Sequence, residues 1–159
     1  MKSLDLSRNF INKIPKEIGN LINLEYLNLN MYNSLNYNKI KIIPKEIGNL
    51  TNLKILNLGS NEIVELPNEI GNLINLKALG LASNNIKKIP KEIGNLINLQ
   101  TLELDMNEII NLPEEICKLI NLKTLDLDRN LITDLLNKIG NLTNLENLIL
   151  NGRSLIDNL

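Results

Sequence analysis

The chain has 159 residues, a formal net charge of −1 and a pI near 5.6. This near-neutral balance argues against a nucleic-acid-binding protein, which would need a basic stripe for the phosphates. No apolar run approaches the roughly 18–20 residues needed to cross a bilayer, so no membrane partner is expected. One cysteine and no histidine exclude an internal disulfide and a metal site of cysteine and histidine ligands, and no cofactor is expected.

Pairs of leucines recur along the chain at a fixed spacing. The first pair is Leu4 and Leu6, and equivalent pairs follow every 23 residues, except that the step from Leu27 to Leu56 spans 29. This period predicts a single domain, residues 1–159, built from stacked repeats. Six full repeats begin at residues 1, 24, 53, 76, 99 and 122, and a partial seventh begins at residue 145. The longer step indicates a six-residue insertion in the second repeat.

The fourth repeat illustrates the structure that each unit is expected to form. Its segment 77–81 alternates apolar and small or polar residues, which predicts a short half-buried strand. Asn84 then turns the chain, and its side-chain amide is expected to bond backbone groups of its own and the adjacent turn. Pro90 predicts the start of a short helical turn, and Gly94 and Asn95 its end. Equivalent asparagines recur as a ladder at Asn9, Asn61, Asn107 and Asn130.

The pattern L-P-x-E-I-G-N-L-x-N-L, followed by L-x-L-x-x-N-x-I, resembles the 23-residue class of leucine-rich repeats. That class includes Ras-group scaffold proteins of animals and plants and many repeat proteins of bacteria, amoebae and large DNA viruses. The resemblance implies an α/β repeat solenoid, a horseshoe with a parallel concave β-sheet and short helical turns on the convex side. It further implies a scaffold that binds another protein, with a small GTPase as one candidate.

Outward-facing strand positions do not maintain the core, so function is expected there. In the fifth and sixth repeats these positions carry an acidic block, defined as Glu103, Asp105, Asp126 and Asp128. The clustering raises the local negative potential and predicts a partner with a basic patch, with Arg129 beside the contact. The alternative is a solvated surface that Lys123 and Arg129 neutralise in part.

Small residues occupy the outward positions at the centre of the sheet. They are Gly59, Ser60, Ala78, Gly80, Ala82 and Ser83. This nearly bare surface predicts either close approach by a partner or simple tolerance of small residues in a narrow sheet. In the second and third repeats the equivalent strand position holds Asn28 and Asn57, which are therefore assigned to the expected contact surface.

All three tyrosines lie in the second repeat, Tyr26 on its strand and Tyr32 and Tyr37 in the insertion. Tyrosine offers a large contact area at low entropic cost and is enriched at binding hot spots. Insertions in repeat proteins map to loops on one face, often the binding face. The insertion is thus a predicted partner contact, and the alternative is a loop with solvent-exposed tyrosines.

These features favour a non-catalytic protein–protein interaction scaffold. Cys117 replaces one of the recurring glycines, and no histidine is present to activate it as a nucleophile. The single cysteine also favours a reducing, cytoplasmic location. Two alternatives are a self-assembling element that associates end to end, because no polar cap precedes the first repeat, and the recognition part of a larger protein with a separate effector domain.

Overall fold

The computed structural model describes residues 1–30, 38–133 and 139–151. Within these ranges, seven short strands form one sheet in which all neighbours are parallel and follow sequence order. The strands are β1 (Ser3–Asp5), β2 (Tyr26–Asn28), β3 (Ile55–Asn57), β4 (Ala78–Gly80), β5 (Thr101–Glu103), β6 (Thr124–Asp126) and β7 (Asn147–Ile149). Each strand connects to the next through a short 3-10 helix. This order confirms the predicted α/β repeat solenoid.

Leucine pairing fixes the register of the sheet. Leu56 of β3 lies opposite Leu79 of β4, which in turn lies opposite Leu102 of β5. From the second to the sixth repeat both leucines of every pair are buried. Leu4 in the first repeat is only half-buried, and Leu148 in the seventh is exposed. This difference arises because a repeat buries its apolar residues only against the repeats beside it.

The helices on the convex side differ in detail from the sequence prediction. They span Lys16–Asn20, Lys45–Asn49, Asn68–Asn72, Lys91–Asn95, Glu114–Lys118 and Ile139–Asn141. Pro90 precedes its helix with extended dihedral angles (φ −67°, ψ 146°), and Gly94 lies inside the helix. Of the two residues predicted to end the helix, Asn95 is its last residue and Gly94 is not its end. None of the helices in the described ranges is long and apolar enough to span a bilayer.

Packing between repeats explains the glycine of the first four convex helices. A Cβ placed on Gly94 would lie 2.6 Å from the carbonyl oxygen of Glu115 in the next repeat. Equivalent contacts surround Gly19, Gly48 and Gly71. Only a residue without a side chain lets adjacent helices approach so closely. The fifth helix carries Cys117 at this position, buried, and the sixth helix is shortened to three residues, Ile139–Asn141.

The asparagine ladder is confirmed and extends further than the sequence indicated. Asn84 donates to the carbonyl oxygens of Leu81, at 3.0 Å, and of Leu58 in the preceding repeat, at 3.1 Å. Its Oδ1 accepts a hydrogen bond from the Ile63 N–H at 3.0 Å. In the second repeat Asn38 occupies this position and accepts from the Ile11 N–H at 2.9 Å. The chain therefore returns to the repeat register at Asn38, directly after the insertion.

A second ladder of asparagines lies on the exposed flank where the chain returns from each helix to the next strand. Each side-chain amide donates to a backbone carbonyl of the preceding repeat at 2.7–2.9 Å. Its members are Asn52, Asn75, Asn98, Asn121 and Asn144. Each bond ties one repeat to its neighbour, so the two ladders connect the repeats on opposite sides of the core.

Candidate functional site

The parallel register brings the predicted contact residues into rows across the concave sheet. One row runs through Asn28, Asn57, Gly80 and Glu103 to Asp126. A neighbouring row places Tyr26 opposite Ile55. The strands thus align residues that are separated by 23 or 29 positions in the sequence. Tyr32 and Tyr37, the other two predicted contacts in the second repeat, lie outside the described residues.

The asparagines and aspartates of the first row have a structural role of their own. Asn28 Oδ1 accepts a hydrogen bond from the Asn30 N–H at 3.0 Å, and Asn57 Oδ1 accepts one from the Gly59 N–H at 3.2 Å. Asp126 makes the same bond to the Asp128 N–H at 3.0 Å. Such bonds fix the chain as it leaves a strand. Asn28 is only 7% exposed, so it offers a partner little surface.

The acidic block lies at the carboxyl ends of β5 and β6. Burial raises the pKa of Glu103, and the neighbouring carboxylates of Asp105 and Asp126 raise it further. Burial also raises the pKa of Asp105, with smaller contributions from Asp126 and Asp128, while Arg129 opposes the rise. Like charges held side by side disfavour ionisation and add to the effect of burial on the pKa of both carboxyls. A cationic side chain from a partner would relieve this repulsion.

The alternative interpretation has Lys123 and Arg129 neutralise the block in part, and the structure places only Arg129 against it. Arg129 Nε lies 3.5 Å from Asp128 Oδ2. Lys123 Nζ instead lies 3.2 Å from Glu146 Oε1 in the next repeat.

Arg129 directly precedes the ladder residue Asn130 and has a left-handed backbone, with φ 51°. The residues directly before the ladder asparagines Asn61, Asn84 and Asn107 have the same conformation. In the described part of the chain, no cluster of three or more cysteine, histidine or acidic side chains is arranged to hold a metal ion.

Replacing Asp126 with asparagine is expected to lower the pKa of both Glu103 and Asp105, because Asp126 raises both. Asparagine retains the oxygen that accepts the Asp128 N–H, so the turn after β6 should persist. Carboxyl-carbon NMR titration would measure the two pKa values. Asp5→Asn is the matched control, since Asp5 Oδ1 accepts the Ser7 N–H in the same way at the other end of the row. Unchanged Glu103 and Asp105 pKa values in Asp126→Asn would contradict the assigned coupling.

The centre of the sheet is less open than its small residues indicate. A Cβ on Gly59 would lie 2.9 Å from Oδ1 of Asn30, and one on Gly80 would lie 2.9 Å from Oδ1 of Asn57. Both glycines are buried, because the side chains of adjacent repeats fold over them. Neighbouring side chains of the chain itself therefore occupy the space over both glycines, and close approach by a partner stays a prediction.

An apolar pair, Tyr26 and Ile55, lies at the other end of the concave face. Tyr26 is half-buried and Ile55 exposed. Beside them Glu25 accepts hydrogen bonds from Lys2, at 2.8 Å, and from Lys54. These two ammonium groups lower the pKa of Glu25 to about 2. The concave face therefore has a basic-flanked apolar end in the second and third repeats and an acidic end in the fifth and sixth.

Comparison with protein families gives matches over most of the chain. A model described as "Leucine-rich repeat region" matches residues 67–155, and one described as "Leucine Rich Repeat" matches residues 1–21 and 52–73. A comparison with curated protein sequences finds no match.

Solved structures extend this similarity to nearly the whole chain. A leucine-rich-repeat protein of Leptospira interrogans is 37% identical over 96% of this chain and 44% of its own, with a TM-score of 0.73. The plant peptide hormone receptor RGFR1, solved in complex with RGF2, is 38% identical over 96% of this chain and 25% of its own, with a TM-score of 0.84.

A third similar structure is the Arabidopsis receptor kinase HAESA, in complex with the peptide hormone IDA and the co-receptor SERK1. It is 32% identical over 94% of this chain and 26% of its own, with a TM-score of 0.80. The chain thus spans less than half the length of each of these proteins. The repeat period, the parallel sheet and these matches together establish that the chain belongs to the leucine-rich-repeat family.

Proposed function

We propose that this chain is a protein-interaction module that binds its partner across the concave sheet, without catalysis of its own. The observation that carries the proposal is that the two ends of the concave face differ in chemistry. The apolar Tyr26–Ile55 pair lies at one end and the acidic block at the other, on a single hydrogen-bonded sheet. A rigid sheet presents such groups without an ordering cost at binding, which favours affinity.

The solved relatives support a protein or peptide as the partner. RGFR1 and HAESA are both described in complex with peptide hormones. For this chain we propose a partner with a basic patch, because cationic side chains would relieve the like-charge repulsion within the acidic block. A small GTPase, expected from the resemblance to Ras-group scaffolds, stays a prediction.

We assign the remaining expected contacts to the concave face as part of this proposal. Tyr32 and Tyr37 belong to the insertion in the second repeat and are proposed as aromatic contacts to the partner. Asn57 is half-buried and closer to solvent than Asn28. Catalysis is not proposed, because the carboxylates of the block lie on an open sheet and not in a deep apolar pocket. We also propose a cytoplasmic location, for which the single cysteine remains the support.

A random-peptide display library, panned on the immobilised chain, tests this function. Retained peptides are expected to be enriched in lysine and arginine, and to be lost when the library is panned on an Asp105→Lys, Asp126→Lys double variant. Reversing two charges at the contact should weaken binding by at least about tenfold. The matched control is Glu69→Lys, Glu92→Lys, which makes the same charge change on the convex helices.

The outcomes of this selection separate the alternatives. Peptides lost only with the concave variant would support binding through the acidic block. Equal loss with both variants would indicate a nonspecific charge effect and contradict the proposed site. Peptides that are not enriched in basic residues but still require the concave face would support an interaction module and contradict the proposal that its partner is basic.

Self-assembly through an end is the second candidate. An open recess of about 430 Å³ at the first repeat is lined by apolar side chains that include Leu4, Leu6 and Ile11. A second molecule stacked end to end would cover this recess and continue the core. This association stays a prediction, as does membership of a larger protein with an effector domain.

A further inference from the structure

A groove of about 1320 Å³ runs along the flank of the first and second repeats, between the strand ends and the convex helices. It is separate from the concave face, and its charge is opposite to that of the acidic block. Four lysines and two glutamates line it. The lysines are Lys13, Lys16, Lys39 and Lys41.

Backbone pairing distinguishes this groove from the equivalent flank of later repeats. Isolated parallel bridges join Glu65 to Lys88 and Lys88 to Asn111, and so tie the third, fourth and fifth repeats together. The equivalent residues of the first and second repeats are Lys13 and Ile42. Among the described residues, no such bridge joins Lys13 to Ile42 or Ile42 to Glu65. The groove lies where this bridge ladder is missing.

Exposed apolar side chains accompany the lysines. Phe10 is 75% exposed and Ile42 is 74% exposed, the highest fractions among the large hydrophobic residues of the described ranges. Ile42 lines the groove. Phe10 directly precedes Ile11, whose carbonyl oxygen accepts a hydrogen bond from the Lys39 N–H at 2.8 Å. Exposed apolar groups rimmed by charges are typical of interaction sites.

We propose that this groove binds an extended acidic segment of a partner protein that carries at least one aromatic or aliphatic side chain. The lysines supply charge complementarity, and Ile42 and Ile14, which line the groove, supply apolar contacts. Glu62, which lies 3.5 Å from Lys41 Nζ, and Glu17 interrupt the basic lining, which favours a segment with spaced carboxylates over the continuous row of phosphates of a nucleic acid. A recess also admits a peptide chain more readily than the surface of a bilayer.

The test uses a fluorescein-labelled peptide of two Glu-Asp-Phe-Glu-Asp-Leu units. Its binding to the chain is measured by fluorescence anisotropy at physiological salt. The groove variant is Lys13→Glu, Lys41→Glu. Its matched control is Lys88→Glu, Lys87→Glu, the equivalent positions of the fourth repeat. The match is close because Lys87 pairs with Glu108 at 3.6 Å as Lys41 pairs with Glu62 at 3.5 Å. All four lysines are exposed, so both variants should unfold at the temperature of the native chain.

The expected result is saturable binding by the native chain, at least about tenfold weaker binding by the groove variant, and little change in the control. Absent saturation, or an equal loss in both variants, would overturn the proposal. Phosphatidylserine vesicles and polyuridylate are measured in parallel, and groove-dependent binding of either without peptide binding would also overturn it. Light scattering completes the set, because a native dimer that the groove variant dissociates would identify a second copy as the occupant and refute a foreign acidic segment.

Discussion

Gly71→Ala is expected to lower the free energy of unfolding by about 2 kcal/mol, although alanine normally stabilises a helix relative to glycine. A Cβ on Gly71 would lie 2.5 Å from the carbonyl oxygen of Glu92 and 2.8 Å from its Cβ. Relief requires two adjacent repeats to separate, because the clash is with backbone and not with the end of a flexible side chain. Urea unfolding followed by circular dichroism measures the change.

Gly140→Ala is the matched control for this prediction. The equivalent Cβ on Gly140 has no neighbour within 4 Å among the described residues. Only the intrinsic preference for alanine then remains, and a small gain of up to about 1 kcal/mol is expected. A result of the same sign and size in both variants would show that close packing of the convex helices does not explain the recurring glycine.

Asn84→Ala is expected to cost about 3–4 kcal/mol, the larger of the two effects. The substitution leaves the Ile63 N–H without its acceptor and removes one of the two asparagine donors to the Leu58 carbonyl oxygen, the other being Asn61. Both groups belong to the third repeat and Asn84 to the fourth, so the loss weakens the interface between these repeats as well as the turn itself. Because a solenoid's stability is a sum of repeat and interface terms, the unfolding transition should also broaden.

Asn75→Ala provides the comparison, since it removes an asparagine from the exposed ladder. Asn75 Nδ2 donates to the Thr51 carbonyl oxygen at 2.9 Å on the exposed flank, where water can replace the lost donor. A loss of about 0.5–1 kcal/mol is expected. Equal losses for Asn75→Ala and Asn84→Ala, measured in the same urea series, would contradict the claim that burial gives the inner ladder its greater effect.

Much of the fold could be predicted because the sequence is periodic. Leucines that recur at one spacing must occupy one structural position, and this placed β3, β4 and β5 and their buried residues correctly. The same reasoning identified Asn84 and its equivalents as a ladder. It missed Asn38 as the member from the second repeat, because the insertion displaces that residue from the regular spacing.

The surface was harder to predict than the core. The alternative interpretation of the acidic block has Lys123 neutralise it in part, but Lys123 pairs with Glu146, one repeat further along. Asn28 was expected to face a partner, but its side chain is buried. Its Nδ2 donates to Asp5, and its Oδ1 accepts from the Asn30 N–H. Several rotamers of such side chains fit any repeat pattern, and only the neighbouring repeats select one of them.

The sequence alone determined the repeat, the strand register and the apolar core, because each follows from residue type at a fixed spacing. Only the tertiary structure decided that side chains cover Gly59 and Gly80, that the convex glycines permit contact between helices, and that a basic groove opens beside Ile42. These features depend on distances between residues of adjacent repeats, and a one-dimensional pattern contains no such distances.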